Sequence, residues 1–231
     1  MPKVKDIKAD KLKVLVYGKS GSGKTMFAGT FPKPYVFDSD NGTLSLRNMG
    51  NDVEYDVYRD GDLARPTAIN AIEKKVAELQ KGNGIETIVV DSLTTIADLA
   101  MNRVLFMNGR AKAVPQQQDW LQQMNWIRNF VLTLLAMPKH VVVVAHEQVD
   151  KDENLGNLQA LPMVTGKLAG KIGLYFDEVY NAQCISKGKE VEYRLLTRGT
   201  SIYTAKSRLG CFEMYEVPYY DKLMEKVNGV S

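Results

Sequence analysis

Cysteine is scarce in this chain of 231 residues. Cys184 and Cys211 form no CxxC pair and build no disulfide framework, which suits a reducing compartment. Both are expected as buried thiols without a redox role. No apolar run approaches the roughly 18–20 residues that a membrane helix needs. The basic N-terminus, MPKVKDIKADKLK, has no apolar stretch behind it and does not read as a signal peptide. No repeat, low-complexity tract or long linker divides the sequence. Neither sign of charge dominates: 30 Lys and Arg against 27 Asp and Glu leave +3, which permits a polyanionic partner without demanding one. These absences argue against a secreted disulfide scaffold, a membrane-spanning chain and a chain disordered throughout. A cytoplasmic single domain over residues 1–231 is expected. The composition, 45% hydrophobic and 25% charged, is that of an ordinary folded protein.

Short apolar runs alternate with longer helical stretches. Strands are expected at Leu12–Tyr17, Tyr35–Phe37, Asp52–Tyr58, Ile85–Val90 and His140–Ala145. Helices are expected at Leu63–Leu79, where Ile69, Ile72, Val76 and Leu79 share one face, and at Leu93–Met107, Gln116–Met137 and Tyr219–Val227. Residues 147–166 are polar and read as a loop. Tyr175–Ile185 and Val191–Thr197 read as a hairpin around Ser186-Lys187-Gly188-Lys189, and Ile202–Ala205 as a further strand. This pattern predicts an α/β fold with a mostly parallel central sheet covered by helices on both faces and an antiparallel C-terminal edge.

One segment carries specific chemistry. Gly18-Lys19-Ser20-Gly21-Ser22-Gly23-Lys24-Thr25 matches GxxxxGK[ST], directly after an apolar strand and before the helix-compatible Met26–Gly29. Such a loop turns successive backbone N–H groups toward phosphate oxygens. Gly18, Ser20, Gly21, Ser22, Gly23, Lys24, Thr25 and Met26 are therefore candidate ligands of a nucleoside triphosphate, ATP. Lys24 reaches the β- and γ-phosphates, and Thr25 offers its hydroxyl to Mg²⁺. Asp91 closes the apolar run Ile85–Val90, where its carboxylate would face the same ion through water.

Three more features lie near strand ends. Asp38-Ser39-Asp40 follows the second strand, and a carboxylate there can orient an attacking water. His146-Glu147-Gln148 follows the most apolar strand and could sense the γ-phosphate. Lys206 and Arg208 alternate along an extended segment and face one way, a pattern suited to a phosphate held by a neighbouring subunit.

With these motifs in place, the chain resembles the RecA-like ATPases, and within them the small phage-encoded Rad-type proteins that anneal single-stranded DNA. The resemblance spans Lys11 to Gly210 and rests on GKSGSGKT, FDSDNGT, IETIVVDS, VVVVAHEQ and TAKSRLG. It implies a RecA-like P-loop core and a DNA-stimulated ATPase. It also implies a filament or ring with ATP at subunit junctions. Residues 1–11 are expected as a solvated basic extension, with docking on a neighbouring subunit as the alternative. Asp40 stands where these enzymes usually carry a catalytic Glu, and the shorter side chain implies slow hydrolysis. His146 stands where Asn-Gln is more usual. Lys206 and Arg208 resemble the cations lent in trans. The chain lacks the extra N-terminal DNA-binding domain of larger recombinases, so annealing is expected ahead of strand exchange.

In such folds two loops line the DNA path. The matching segments, Gly109–Gln118 and Val149–Lys171, offer Arg110, Lys112, Lys151, Lys167 and Lys171 to phosphates, with Met163 able to enter between bases. Partners implied are single-stranded DNA, further copies of the chain and a single-strand-binding protein, in the cytoplasm of a host cell and with no membrane. Two other readings stay open: a helicase-loader-like protein that uses ATP as a switch, and a small-molecule or nucleotide kinase. Trp120, Trp126 and His140 are expected in packing roles, and the YEVPYY cluster at Tyr215–Tyr220 at the sheet edge.

Overall fold

A computed structural model describes residues 10–50, 52–82, 84–151, 156–188 and 190–229. The N-terminal extension therefore lies mostly outside the described residues. The strands are β1 (Lys13–Gly18), β2 (Pro34–Asp38), β3 (Glu54–Val57), β4 (Thr87–Asp91), β5 (His140–Lys151), β6 (Leu158–Pro162), β7 (Glu178–Lys187), β8 (Glu190–Leu196), β9 (Lys206–Ser207) and β10 (Tyr215–Glu216). The helices are α1 (Lys24–Gly29), α2 (Ala68–Gln80), α3 (Leu93–Met107), α4 (Gln117–Leu135) and α5 (Tyr220–Asn228).

One sheet runs β10-β8-β7-β1-β5-β4-β2-β3, with β6 on β5 and β9 on β7. The inner pairs, β7 to β1 and on through β5, β4 and β2 to β3, are all parallel. The pairs made by β6, β8, β9 and β10 are antiparallel. This is the expected arrangement, a parallel core with an antiparallel C-terminal edge. The phosphate-loop strand β1 and the Asp91 strand β4 flank β5, so three loop-bearing tips lie side by side.

Alternation along the strands makes two cores. Leu15 and Tyr17 of β1, with Val141, Val143 and Ala145 of β5, point to the face covered by α2, α3 and α4. Val14, Val16, Val142 and Val144 point to the other face, under Phe27 and Phe31 around α1 and Leu223 of α5. Strands buried on both faces must be apolar throughout, which is why β1 and β5 read as unbroken hydrophobic runs.

The largest departures from the sequence expectation are three segments and the burial of one cysteine. Helix α2 begins at Ala68, not Leu63. Pro66 biases the residue before it away from helix, and Asp60 Oδ1 accepts the N–H groups of Thr67 and Ala68 at 2.9 and 3.0 Å, which fixes the start. The stretch expected as a loop at 147–166 is largely strand: β5 runs on to Lys151 and pairs with β6. Past Ala145 the strand is first half-buried and then exposed, and its residues are mostly polar, so no apolar run announced it. The strand expected at Ile202–Ala205 is reduced to a single bridge, Ala160 to Tyr203, followed by β9. Cys184 is exposed rather than buried, because it falls on the outward side of β7 beyond the core, while Cys211 is partly buried.

The packing roles expected for His140 and Trp126 are observed. His140 Nδ1 accepts the Leu12 N–H at 3.0 Å, and burial drives its pKa down to about 4. Trp126 stacks on Phe130 and donates to Glu73 at 2.8 Å, whereas Trp120 is exposed. Among the described residues no helix is long and apolar enough to cross a membrane.

Candidate nucleotide site

Parallel register brings the candidate residues to one end of the sheet. Gly18 is level with His146, Asp38 with Asp91, and Tyr17 with Asn181. Gly18, Asp38 and Asp91 are the last residues of β1, β2 and β4, and His146 lies where the parallel pairing of β5 with β1 ends, the side on which an open α/β sheet binds its ligands. A cavity of about 1050 Å³ opens there. That volume holds a nucleotide, since ligand pockets run to about 1,000 Å³.

The phosphate loop forms one wall. Gly23 has φ +86° and caps α1, a conformation that a residue with a Cβ adopts only under strain. Its carbonyl accepts the Phe27 N–H at 2.9 Å, which starts the helix. Lys24 is almost fully buried, and its Nζ donates to the Gly18 and Lys19 carbonyls at 2.9 and 2.7 Å. An ammonium has three donors, so one remains for a phosphate oxygen. Burial lowers the Lys24 pKa, while the carboxylates of Asp91, Glu147 and Asp40 oppose the shift. A triphosphate in the cavity would restore the counter-charge.

Thr25 Oγ1 donates to Asp91 Oδ2 at 2.6 Å. Burial pushes the Asp91 carboxyl up to about 6; the Thr25 hydrogen bond opposes this, and the negative charges of Asp40 and Asp38 add to it. A group that awkward to ionise fits a place where a cation is supplied with the ligand. Among the described residues no cluster of three His, Cys, Asp or Glu could cage a metal. One hydroxyl and one carboxylate are nonetheless a fitting pair for Mg²⁺, which keeps several waters and takes further oxygens from phosphates. Gly42 is drawn tightly over this pair: a Cβ on it would lie 2.9 Å from Asp91 Oδ2 and 3.2 Å from Thr25 Oγ1.

Asp40 and His146 complete the polar wall, with His146 Nε2 at 2.9 Å from Asp40 Oδ2. The loop carrying Asp40 is organised by Asp38. This fully buried carboxylate accepts from the N–H groups of Asp40, Gly42 and Thr43 at 3.1–3.2 Å, and from the Thr43 hydroxyl at 2.6 Å. The spacing D-x-x-x-G-T is readable as such a turn, yet Asp38 was not singled out from the sequence. Glu147 accepts from Asn181 Nδ2 at 2.8 Å, a contact between residues 34 apart with no local signal.

The other end of the cavity is apolar, formed by Met26, Leu44 and Met49 with Tyr193, Pro218 and Tyr219. Tyr193 of β8 lies against Gly23, 3.0 Å from where a Cβ would stand. The antiparallel edge thus supplies aromatic surface to the cavity wall. The YEVPYY cluster divides: Pro218 and Tyr219 line the cavity, and Tyr220 packs on Phe31 and His140.

Lys206 and Arg208 are not brought to this site. They pair with or flank the first residues of β7, level with Val14 and Leu15, at the opposite end of β1 from the loop. Arg208 Nη1 contacts Asp177 at 2.8 Å, and its Nη2 donates to the Leu174 carbonyl at 3.3 Å. Neither cation can serve the phosphate loop of its own chain.

The basic residues expected along a DNA path differ in availability. Arg110 is held by the buried carboxylate of Asp119, which also accepts the Gln116 N–H at 2.6 Å and so organises the start of α4. Lys112 lies 3.7 Å from Asp62, with both side chains largely exposed. Lys151, Lys167 and Lys171 are exposed, as is Met163. Asp152 and Glu153 lie outside the described residues.

The AAA domain family matches residues 10–209. No curated protein sequence matches the chain. Among solved structures, a KaiC-like protein from the hyperthermophilic archaeon Pyrococcus horikoshii OT3 aligns with a TM-score of 0.45 and 14% identity, over 81% of this chain and 78% of that one.

Proposed function

The chain belongs to the AAA domain family, and from that premise we propose that it is an ATP-dependent protein that binds single-stranded DNA and promotes annealing or recombination, for a phage genome in a host cytoplasm. The coarser part is plain: this is a P-loop ATPase domain. The observation that carries it is the buried Lys24 beside the Thr25–Asp91 pair at 2.6 Å, at the mouth of a nucleotide-sized cavity.

ATP would place its triphosphate along Ser20–Thr25 and its base against Tyr193 and Tyr219. Thr25 would hold Mg²⁺ directly and Asp91 through water. Bound there, the ion neutralises charge on the β- and γ-phosphates. Lys24 adds its third N–H, and Asp40 and His146 face the place where an attacking water would stand.

Assembly is supported by the position of Lys206 and Arg208, away from their own site and half in solvent. An exposed ion pair such as Arg208–Asp177 contributes about 0–1 kcal/mol, so exchange for a phosphate of the next subunit costs little. Lys151 at the end of β5, with Lys167 and Lys171 in the turns that follow β6, supports a polyanionic partner, because exposed cations can follow a phosphate backbone. The β5–β6 hairpin carries no arginine between residues 147 and 166, which speaks against a kinase lid.

The test is turnover of Mg–ATP with and without single-stranded DNA, together with DNA retention at rising salt. The proposal expects a faster rate with DNA and a retention that falls with salt. Turnover that ignores DNA, with no retention at low salt, would remove the recombination reading in favour of an ATP switch.

A further inference from the structure

Asp40, in the loop after β2, and His146, where β5 leaves its parallel pairing with β1, reach each other across a hydrogen bond of 2.9 Å. Both line the same cavity as Lys24, Thr25 and Asp91. The backbone of His146 is fixed on both sides: its N–H donates to Thr94 Oγ1 at 3.0 Å, and its carbonyl accepts from Met163 N–H at 2.8 Å. The contact to Asp40 uses Nε2. The other ring nitrogen, Nδ1, has no partner among the described residues.

Asp40 is poorly suited to remove a proton from water. Burial works against its charge, but the His146 hydrogen bond and the hydroxyls of Thr95 and Ser92 outweigh burial and hold the carboxyl at about 2. General bases work best near the operating pH, and imidazole as a group is the side chain that titrates there.

We propose that His146, not Asp40, is the general base of ATP hydrolysis, and that Asp40 is a positioning residue that keeps the ring proton on Nε2 and the Nδ1 lone pair free. This rests on the ATPase reading above. The water oxygen forms a bond to the γ-phosphorus while one water proton passes to Nδ1. The bond from that phosphorus to the β–γ bridging oxygen breaks, and its electron pair leaves with ADP. The products are ADP, inorganic phosphate and an imidazolium held by the Asp40 carboxylate, which then releases its proton to solvent. The charges around the pair are Lys24 on α1, Asp91 at the tip of β4, Asp98 on α3 and Glu147 next along β5.

Two variants of the full chain, His146→Gln and Asp40→Asn, test this. Glutamine can still donate to a phosphate but cannot take up a proton. Nitrogen NMR of the nucleotide-free protein should show His146 protonated on Nε2 in its neutral form. The wild-type rate should fall on the acid side as the general base takes up a proton. His146→Gln should lose this limb and about 10²–10⁴ in turnover, with ATP affinity within a few-fold of wild type and an unchanged melting temperature. Wild-type turnover with an unchanged acid limb in His146→Gln would overturn the proposal. So would a proton on Nδ1 in the neutral ring, or a greater loss in Asp40→Asn than in His146→Gln. A wild-type chain that binds ATP and never hydrolyses it would instead sink the ATPase reading, and the proposal with it.

Discussion

Asp91→Asn should make the metal-free protein more stable at neutral pH while removing its response to Mg–ATP. Asp91 titrates at about 6 in the fold against an ordinary 3.8, chiefly because burial disfavours its charge and despite the Thr25 hydrogen bond. A raised midpoint means that the folded state binds the proton more tightly than the unfolded chain does. The stability this provides is fully present below about pH 4 and is lost as pH rises through 6. Two pH units at 1.36 kcal/mol each make a penalty of about 3 kcal/mol at pH 7.5. Asparagine carries no charge and keeps an oxygen for the Thr25 hydroxyl, so it should recover about 1–3 kcal/mol of this. In a chain of this size that is about 3–10 °C in melting temperature. Melting curves in EDTA at pH 4 and pH 7.5 read the effect as the variant minus wild type, so other titrating groups largely cancel. The reasoning predicts a gain at pH 7.5 and little difference at pH 4. An equal shift at both pH values, or a loss at pH 7.5, would refute it.

Two further outcomes follow from the geometry. Gly42→Ala should fold normally, because its backbone is not left-handed, yet push a methyl group against Thr25 and Asp91; Mg–ATP affinity should fall roughly ten-fold or more, read by titration calorimetry, with the melting temperature changed by only a few degrees. Arg208→Ala should leave ATP binding by the isolated chain intact and suppress turnover in assemblies; mixing it with Lys24→Ala protein should restore part of the rate, because some junctions then combine an intact loop with an intact Arg208. A mixture no more active than its components would count against a shared site.

Much of the fold was legible because its signals are local. The runs LKVLVY and HVVVVA are apolar at every position, as strands covered on both faces must be, and the phosphate loop announced itself by the spacing of its glycines and Lys24. What the sequence concealed depends on pairing across the chain. The β5–β6 hairpin is polar along most of its length, and only small residues such as Ala160 turn inward, so it read as a loop. Helix α2 starts where Asp60 caps it, seven or eight residues upstream of the amides it meets. Arg110 looked free for phosphate, but Asp119 claims it once α4 has formed. The Asp40–His146 and Glu147–Asn181 contacts join residues 106 and 34 apart, beyond the reach of any motif. Tyr193 became a candidate for the base only when β8 was seen beside Gly23.

Calorimetric titration of Mg–ATP into wild-type and Lys24→Ala protein, followed by phosphate release from the same samples, tests the central claim most directly. The account predicts saturable one-site binding and phosphate release by the wild type, and loss of both when the buried ammonium is removed. Equal binding and equal release by the two proteins would contradict it.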